Sequence, residues 1–277
     1  MRRKMGLVLI ALVFAGGVSC AADKDAAEIP VPTKLLTNVG EAIQLLKVTG
    51  REPVVLQGED PQRVVVVTPK LNGLVMCSSF DGENGETSAH INGTQIRKGF
   101  STTGRDDTWN GFGAEERVWF APEGGEFGLF FEPHKEQSWK NYVVFPPFHA
   151  VEYKIVDQPA NGRSVTLVAP PAELTNWQGH KMNLEITRRV EVLDDCPFVL
   201  GVSGKVKFVG FETKTWAKNI GPEAWRKDKT PFAIWNVGTF NGTDHSVVML
   251  PYKKGPDSEL GEPVTKEYFR THCLEPQ

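Results

Sequence analysis

The chain has 277 residues, 40% of them hydrophobic, with a net charge of −3 and four cysteines. Setting aside Arg2, Arg3 and Lys4 at its start, the 31 basic residues fall to 28 against 34 acidic ones, a net −6. Such a surface repels phosphate backbones, and no basic cluster interrupts it, so nucleic acid is a poor partner.

The three cations lead into the apolar run Met5 to Val18 and the small residues Ser19, Cys20, Ala21 and Ala22. These are the n-, h- and cleavage regions of a secretory signal over residues 1–22. The run is too short for a permanent membrane span. Cleavage is expected after an A-x-A-like site near Ala21 or Ala22, or just before Cys20 with lipid added to its thiol. The chain is therefore expected in the periplasm or cell envelope, touching a membrane only through a lipid on Cys20. Residues 23–32 read as a polar tether. Residues 33–277 read as one domain, since no Pro- or Ser-rich linker divides them.

From Val31 to Thr49 the spacing of Leu35, Leu36, Val39, Ala42, Ile43, Leu45 and Leu46 predicts a helix, with Thr37 or Asn38 as its cap. Everything after it reads as strands: 54–57, 63–68, 73–78, 118–121, 127–131, 151–157, 164–169, 182–193, 198–208, 212–219, 232–237 and 246–251. Turn signals separate them at Asp81-Gly82, Asn84-Gly85, Asn92-Gly93, Asn161-Gly162 and Asn241-Gly242. A dozen strands with no helices between them predict an all-β fold, a large antiparallel β-sandwich with one short N-terminal helix. A doubly wound or barrel α/β fold is excluded.

Beyond the leader, Cys77, Cys196 and Cys273 show no zinc-ligand spacing. Cys77 and Cys196 either pair in an oxidising compartment or sit buried apart. The sequence has no G-x-S-x-G elbow, P-loop, G-x-G-x-x-G, H-E-x-x-H or EF-hand loop. No metal and no cofactor is therefore expected.

The densest cluster of chemistry runs from Trp109 to Gly128. Its glycines permit close backbone approach, its carboxylates and Arg117 supply directional hydrogen bonds, and its indoles offer flat apolar faces. That combination suits a sugar, whose hydroxyls need polar partners while its C–H face stacks on a ring. The plain alternative is a structural Glu–Arg pair beside the Pro122-Glu123-Gly124-Gly125 turn. Among the seven tryptophans, Trp216, Trp225 and Trp235 stand at strand positions and read as core. Trp109, Trp119, Trp139 and Trp177 sit beside Gly, Asn or Lys and read as a stacking platform. His90, His134 and His245 read as solvated loop residues.

The string from Asn110 to Phe131, together with Leu174 to Gly179, Asn219 to Gly221, Trp225, Trp235 to Gly238 and Val248 to Pro251, resembles an uncharacterised family of exported bacterial proteins related to galactose mutarotase. The resemblance covers roughly Val39 to Phe269 and implies a galactose-mutarotase-like supersandwich. A shared fold does not fix a shared reaction. Similar proteins continue with further strands past Tyr268-Phe269, which implies a C-terminally truncated or divergent member. Aldose 1-epimerases of this kind use a glutamate base and a histidine acid on the sugar. Here His149 and His180 are the candidate acids and Glu115, Glu116 and Glu123 the candidate bases, with His180 and Glu116 the leading pair.

Three readings follow. The first is an exported carbohydrate-binding protein, non-catalytic or weakly catalytic, taking a mono- or oligosaccharide. Its groove would be lined by Asn110, Glu115, Arg117, Trp119 and Glu123, with Trp177 adding a stacking face. The second is an aldose 1-epimerase-like enzyme acting on a hexose. The third is a structural envelope lipoprotein with no small-molecule ligand.

Overall fold

The computed structural model describes residues 36–99, 111, 113–149, 151–196, 206–244 and 246–261. The expected leader, tether and Cys20 lie outside them, as do Trp109, Asn110, His245 and Cys273. The chain divides into two compact units with a boundary at Asn241–Gly242, inside the span expected to form one domain.

The first unit begins with α1 (Val39–Val48), whose buried Val39, Ala42, Ile43, Leu45 and Leu46 form the stripe that the sequence spacing predicts. Asn38 caps it, its Oδ1 accepting the Glu41 amide at 3.3 Å. The helix covers an antiparallel sheet of β1 (Val54–Gln57), β2 (Val64–Thr68) and β3 (Leu74–Ser79), in that order. All of β2 is buried because both of its faces are covered. Val64 and Val66 pack into the helix-side core, while Val65 and Val67 face the main core.

A second, two-stranded sheet pairs β4 (Arg117–Ala121) with a distant strand, β10 (Ala233–Val237), placing Trp119 opposite Trp235. The third sheet is the largest. Its strands are β5 (Lys154–Asp157), β6 (Ser164–Val168), β7 (Ala172–Thr175), β8 (Lys181–Leu193) and β9 (Gly210–Asn219). Along one side of the thirteen-residue β8 lie β6 and β7, and β9 pairs the other side over ten positions. All pairings are antiparallel. The alternation in β8 turns Met182, Leu184, Ile186, Val190 and Val192 into the main core, where they meet Val65, Val67, Trp119 and Phe130. The fold is an all-β, antiparallel, sandwich-like structure with few short helices.

Several segments depart from the sequence reading. Residues 127–131 do not form a strand. Gly125 takes φ +80°, and the chain folds back so that Leu129 donates to Pro122 O and Phe130 to Glu123 O. The buried Leu129, Phe130 and Phe131 therefore line a corner. Asn92-Gly93 starts a helix rather than closing a hairpin: Asn92 Oδ1 accepts the Gln95 amide at 3.0 Å and opens α2 (Gly93–Lys98). A four-residue helix, α3 (Pro146–His149), precedes β5, which is shorter than 151–157. Strand β7 was not anticipated, because Pro170 and Pro171 mask the start of its short run. The expected strand 198–208 lies largely outside the described residues.

In the second unit, residues 246–251 are irregular, with Val248 and Leu250 exposed, and α4 (Asp257–Leu260) is a single turn.

Candidate functional site

The stretch expected to line a sugar groove runs into the core. Glu115, Arg117 and Trp119 are 2%, 3% and 1% exposed, because both faces of β4 are covered. The Arg117 guanidinium lies 4.2 Å from the Trp119 ring centre, an attraction strengthened by loss of water. Burial brings its pKa down to about 10, opposed by Tyr142. Trp119 is further enclosed by Phe130 at 5.1 Å and Trp235 at 5.6 Å. Glu115 accepts a hydrogen bond from Thr87 Oγ1 at 3.2 Å. Burial pushes its carboxyl above the ordinary range, while hydrogen bonds to Ser78 and Thr87 pull it back.

Glu116 points to the other side, where the Arg188 guanidinium meets both its oxygens, Nη1 at 3.3 Å from Oε1 and Nη2 against Oε2. Neither side chain is exposed, and Arg188 also reaches Thr215 Oγ1 at 3.4 Å. Arg188 was missed by the sequence reading, although it stands in phase with the apolar set of β8. A charge on that face needs a buried partner, and Glu116 is it.

The proposed acid–base pair does not converge. His180 occupies the turn before β8, its amide donating to Asn176 Oδ1 at 2.9 Å. Arg188, which holds Glu116, is eight positions along the strand, about 26 Å at ~3.3 Å per residue. Proton transfer through a shared sugar needs hydrogen-bond contact or one bridging water, so these two residues do not form one catalytic site. The side chain of His149 lies outside the described residues.

Glu123 and Trp177 do come close to one another in a cluster of turns. The Trp177 amide donates to Gly128 O at 2.8 Å, and the His134 amide to Trp177 O at 3.0 Å. The Trp177 Nε1 donates to Lys135 O at 2.6 Å, with the His134 ring edge-on at 5.6 Å. Glu123 accepts from the Tyr142 hydroxyl, and Gln178 donates to Glu126. These contacts stitch the turns together and occupy the polar atoms a ligand would use. His90 is not solvated as expected: it is half-buried, with Nδ1 3.2 Å from Asn241 Oδ1.

Among the described residues, the exposed tryptophan is one the sequence reading assigned to the core. Trp216, on β9, is 44% exposed. Register places it directly opposite Thr187, with the pairs Glu185–Lys218 and Arg189–Lys214 on either side of it along the same two strands. The row continues from Thr187 to Val168 and from Val168 to Lys154. Four strands thus present Trp216, Thr187, Val168 and Lys154 on one face, three gaps of ~4.8 Å or about 14 Å across. Trp225 and Trp235 are half-buried against the main core, Trp235 on β10 and Trp225 outside any strand. Among the described residues no cluster of His, Cys, Asp and Glu could hold a metal ion. Cys77 is buried and Cys196 half-buried, and both are free thiols.

These features define an all-β, antiparallel, sandwich-like protein with a polar sheet face bearing one exposed tryptophan. The chain belongs to the family of unknown function DUF6786, which matches residues 37–273. No curated protein and no solved structure matches it.

Proposed function

We propose that this is an exported, non-catalytic carbohydrate-binding protein of the cell envelope, and that its binding platform is the solvent face of β8 and β9 around Trp216. The observation that carries the reading is an exposed indole set among hydroxyl, carboxylate and amine groups on one sheet face. A sugar ring needs that arrangement, its C–H face on the indole and its hydroxyls on polar neighbours. The width of the face suits a short oligosaccharide better than one ring.

Charge supports a neutral glycan. Arg189 is paired with Glu191 at 3.0 Å and Lys214 with Glu212 at 2.6 Å, so the face concentrates no positive field for a polyanion. The enclosure of Glu116 with Arg188, eight strand positions from His180, weighs against the epimerase reading. Export rests on the leader-like residues 1–22, and the mutarotase-like resemblance adds the general association of this fold with sugars.

Titration of the protein with neutral mono- and oligosaccharides, followed by tryptophan fluorescence, tests the reading. A saturable change that is lost in Trp216→Ala and kept in Trp177→Phe supports it. The absence of any saturable change across the panel, in folded protein, would favour the structural envelope role.

A further inference from the structure

On the core side of the large sheet, the connection from β6 to β7 borders a cavity of ≈ 270 Å³. Phe120 comes from β4, Pro147 from α3, Tyr153 from the segment entering β5, and Ile186 from β8. Pro170 and Pro171, both exposed, stand at its mouth. Ile186 and its neighbour Leu184 face the core, whereas Thr187 and Trp216 face solvent, so this cavity and the Trp216 platform lie on opposite faces of one sheet.

The lining is almost wholly apolar, with two polar members. Glu173 is engaged by Lys181 Nζ at 2.7 Å. Tyr153, only 2% exposed, lines the cavity and carries the other polar group, its hydroxyl. Burial, with Glu116 assisting and Arg188 opposing, pushes the Tyr153 pKa up to about 12, so the group is neutral and can donate or accept.

We propose that this cavity is a second ligand site, which takes a small apolar ring carrying one hydroxyl or carbonyl, with the Tyr153 hydroxyl as its single directional partner. The walls decide the class of ligand. Proline and aromatic side chains offer C–H and π faces to a planar ring. A sugar would leave several hydroxyls unpaired against them, each at a cost. The size agrees: a dry cavity of about 150 Å³ holds benzene, and this one leaves room for a ring with a substituent.

The test uses the full chain with p-cresol and toluene as probes, read by the methyl resonances of Val151, Leu184 and Ile186, which all line the cavity. Saturable shifts of these methyls are expected with p-cresol. Tyr153→Phe should weaken p-cresol about five- to tenfold, the worth of one hydrogen bond, and leave toluene unchanged. Ala172→Phe, which fills the space from β7, should abolish both. The proposal is overturned if p-cresol gives no saturable shift at these methyls in the unaltered protein, or if Ala172→Phe leaves its binding intact. It is equally overturned if Tyr153→Phe, shown to be folded, binds p-cresol as tightly as before.

Discussion

Glu116 and Arg188, 72 positions apart in sequence, meet as a two-pronged ion pair with neither side chain exposed to solvent. The pair ties β8 of the large sheet to the residue that enters β4, and Glu116 itself bridges to Val75 of β3. Three sheets are thus fastened at one buried point. Removing either partner strands a charge in the core, which costs about 3–5 kcal/mol. Glu116→Ala and Arg188→Ala should each lower the unfolding free energy by that amount in urea titrations. The double replacement Glu116→Leu with Arg188→Met should cost less than either single change, since it leaves no unpaired charge. Additive losses would show that the two groups act independently.

Trp119 and Trp216 should separate stability from binding. Trp119→Ala opens a large void in the main core and should cost about 3–5 kcal/mol. Trp216 is nearly half exposed, so Trp216→Ala should change stability by no more than about 0.5 kcal/mol while removing the sugar response. Thermal melts and glycan titrations on both variants check this. Should Trp216→Ala unfold the protein, the indole belongs to the core and the platform does not exist.

The contrast between those two residues also shows what the sequence could reveal. Helix α1 and strand β2 were legible because their patterns are local: a 3.6-residue stripe in one, and an unbroken Val64–Val67 run in the other. The fate of Glu115, Arg117 and Trp119 was not local. Their segment reads as a polar, glycine-rich surface until Arg188 and Trp235 arrive from distant parts of the chain and Phe130 folds back to bury it. The position of Trp216 could have been read better. Lys214, Trp216 and Lys218 share one phase of a period-two strand while Thr213, Thr215 and Ala217 share the other, which puts the indole on the lysine face.

Glu115 makes a prediction about pH. Because burial raises its carboxyl above the ordinary value of 4.5, the native state holds this proton more tightly than the unfolded chain does. The resulting stability is fully present below the unfolded value and is lost as pH rises through the native one. Glu115→Gln abolishes that titration while keeping an acceptor for Thr87. Unfolding free energies from pH 4 to pH 8 should therefore shift in favour of the variant as pH rises from about 4.5, then level off. A difference that stays constant across this range would mean that Glu115 ionises alike in both states.

Gly113 and Gly125 allow a steric effect to be told apart from a conformational one. Both adopt left-handed backbone, with φ of +81° and +80°. At Gly113 the bridge to Ile91 brings the chain so close that an added Cβ would stand 1.7 Å from the His90 carbonyl oxygen, which already accepts the Ala114 amide at 3.0 Å. At Gly125 an added Cβ meets nothing within 4 Å. Gly125→Ala should therefore cost only the left-handed strain, about 1–2 kcal/mol. Gly113→Ala must also push two backbone segments apart and should cost clearly more, at least about 3 kcal/mol. Urea midpoints of the two variants decide it. Equal losses would mean that the approach of Gly113 to His90 is looser than the bridge implies, and that this crossing does not anchor β3, β4 and α2 around one another.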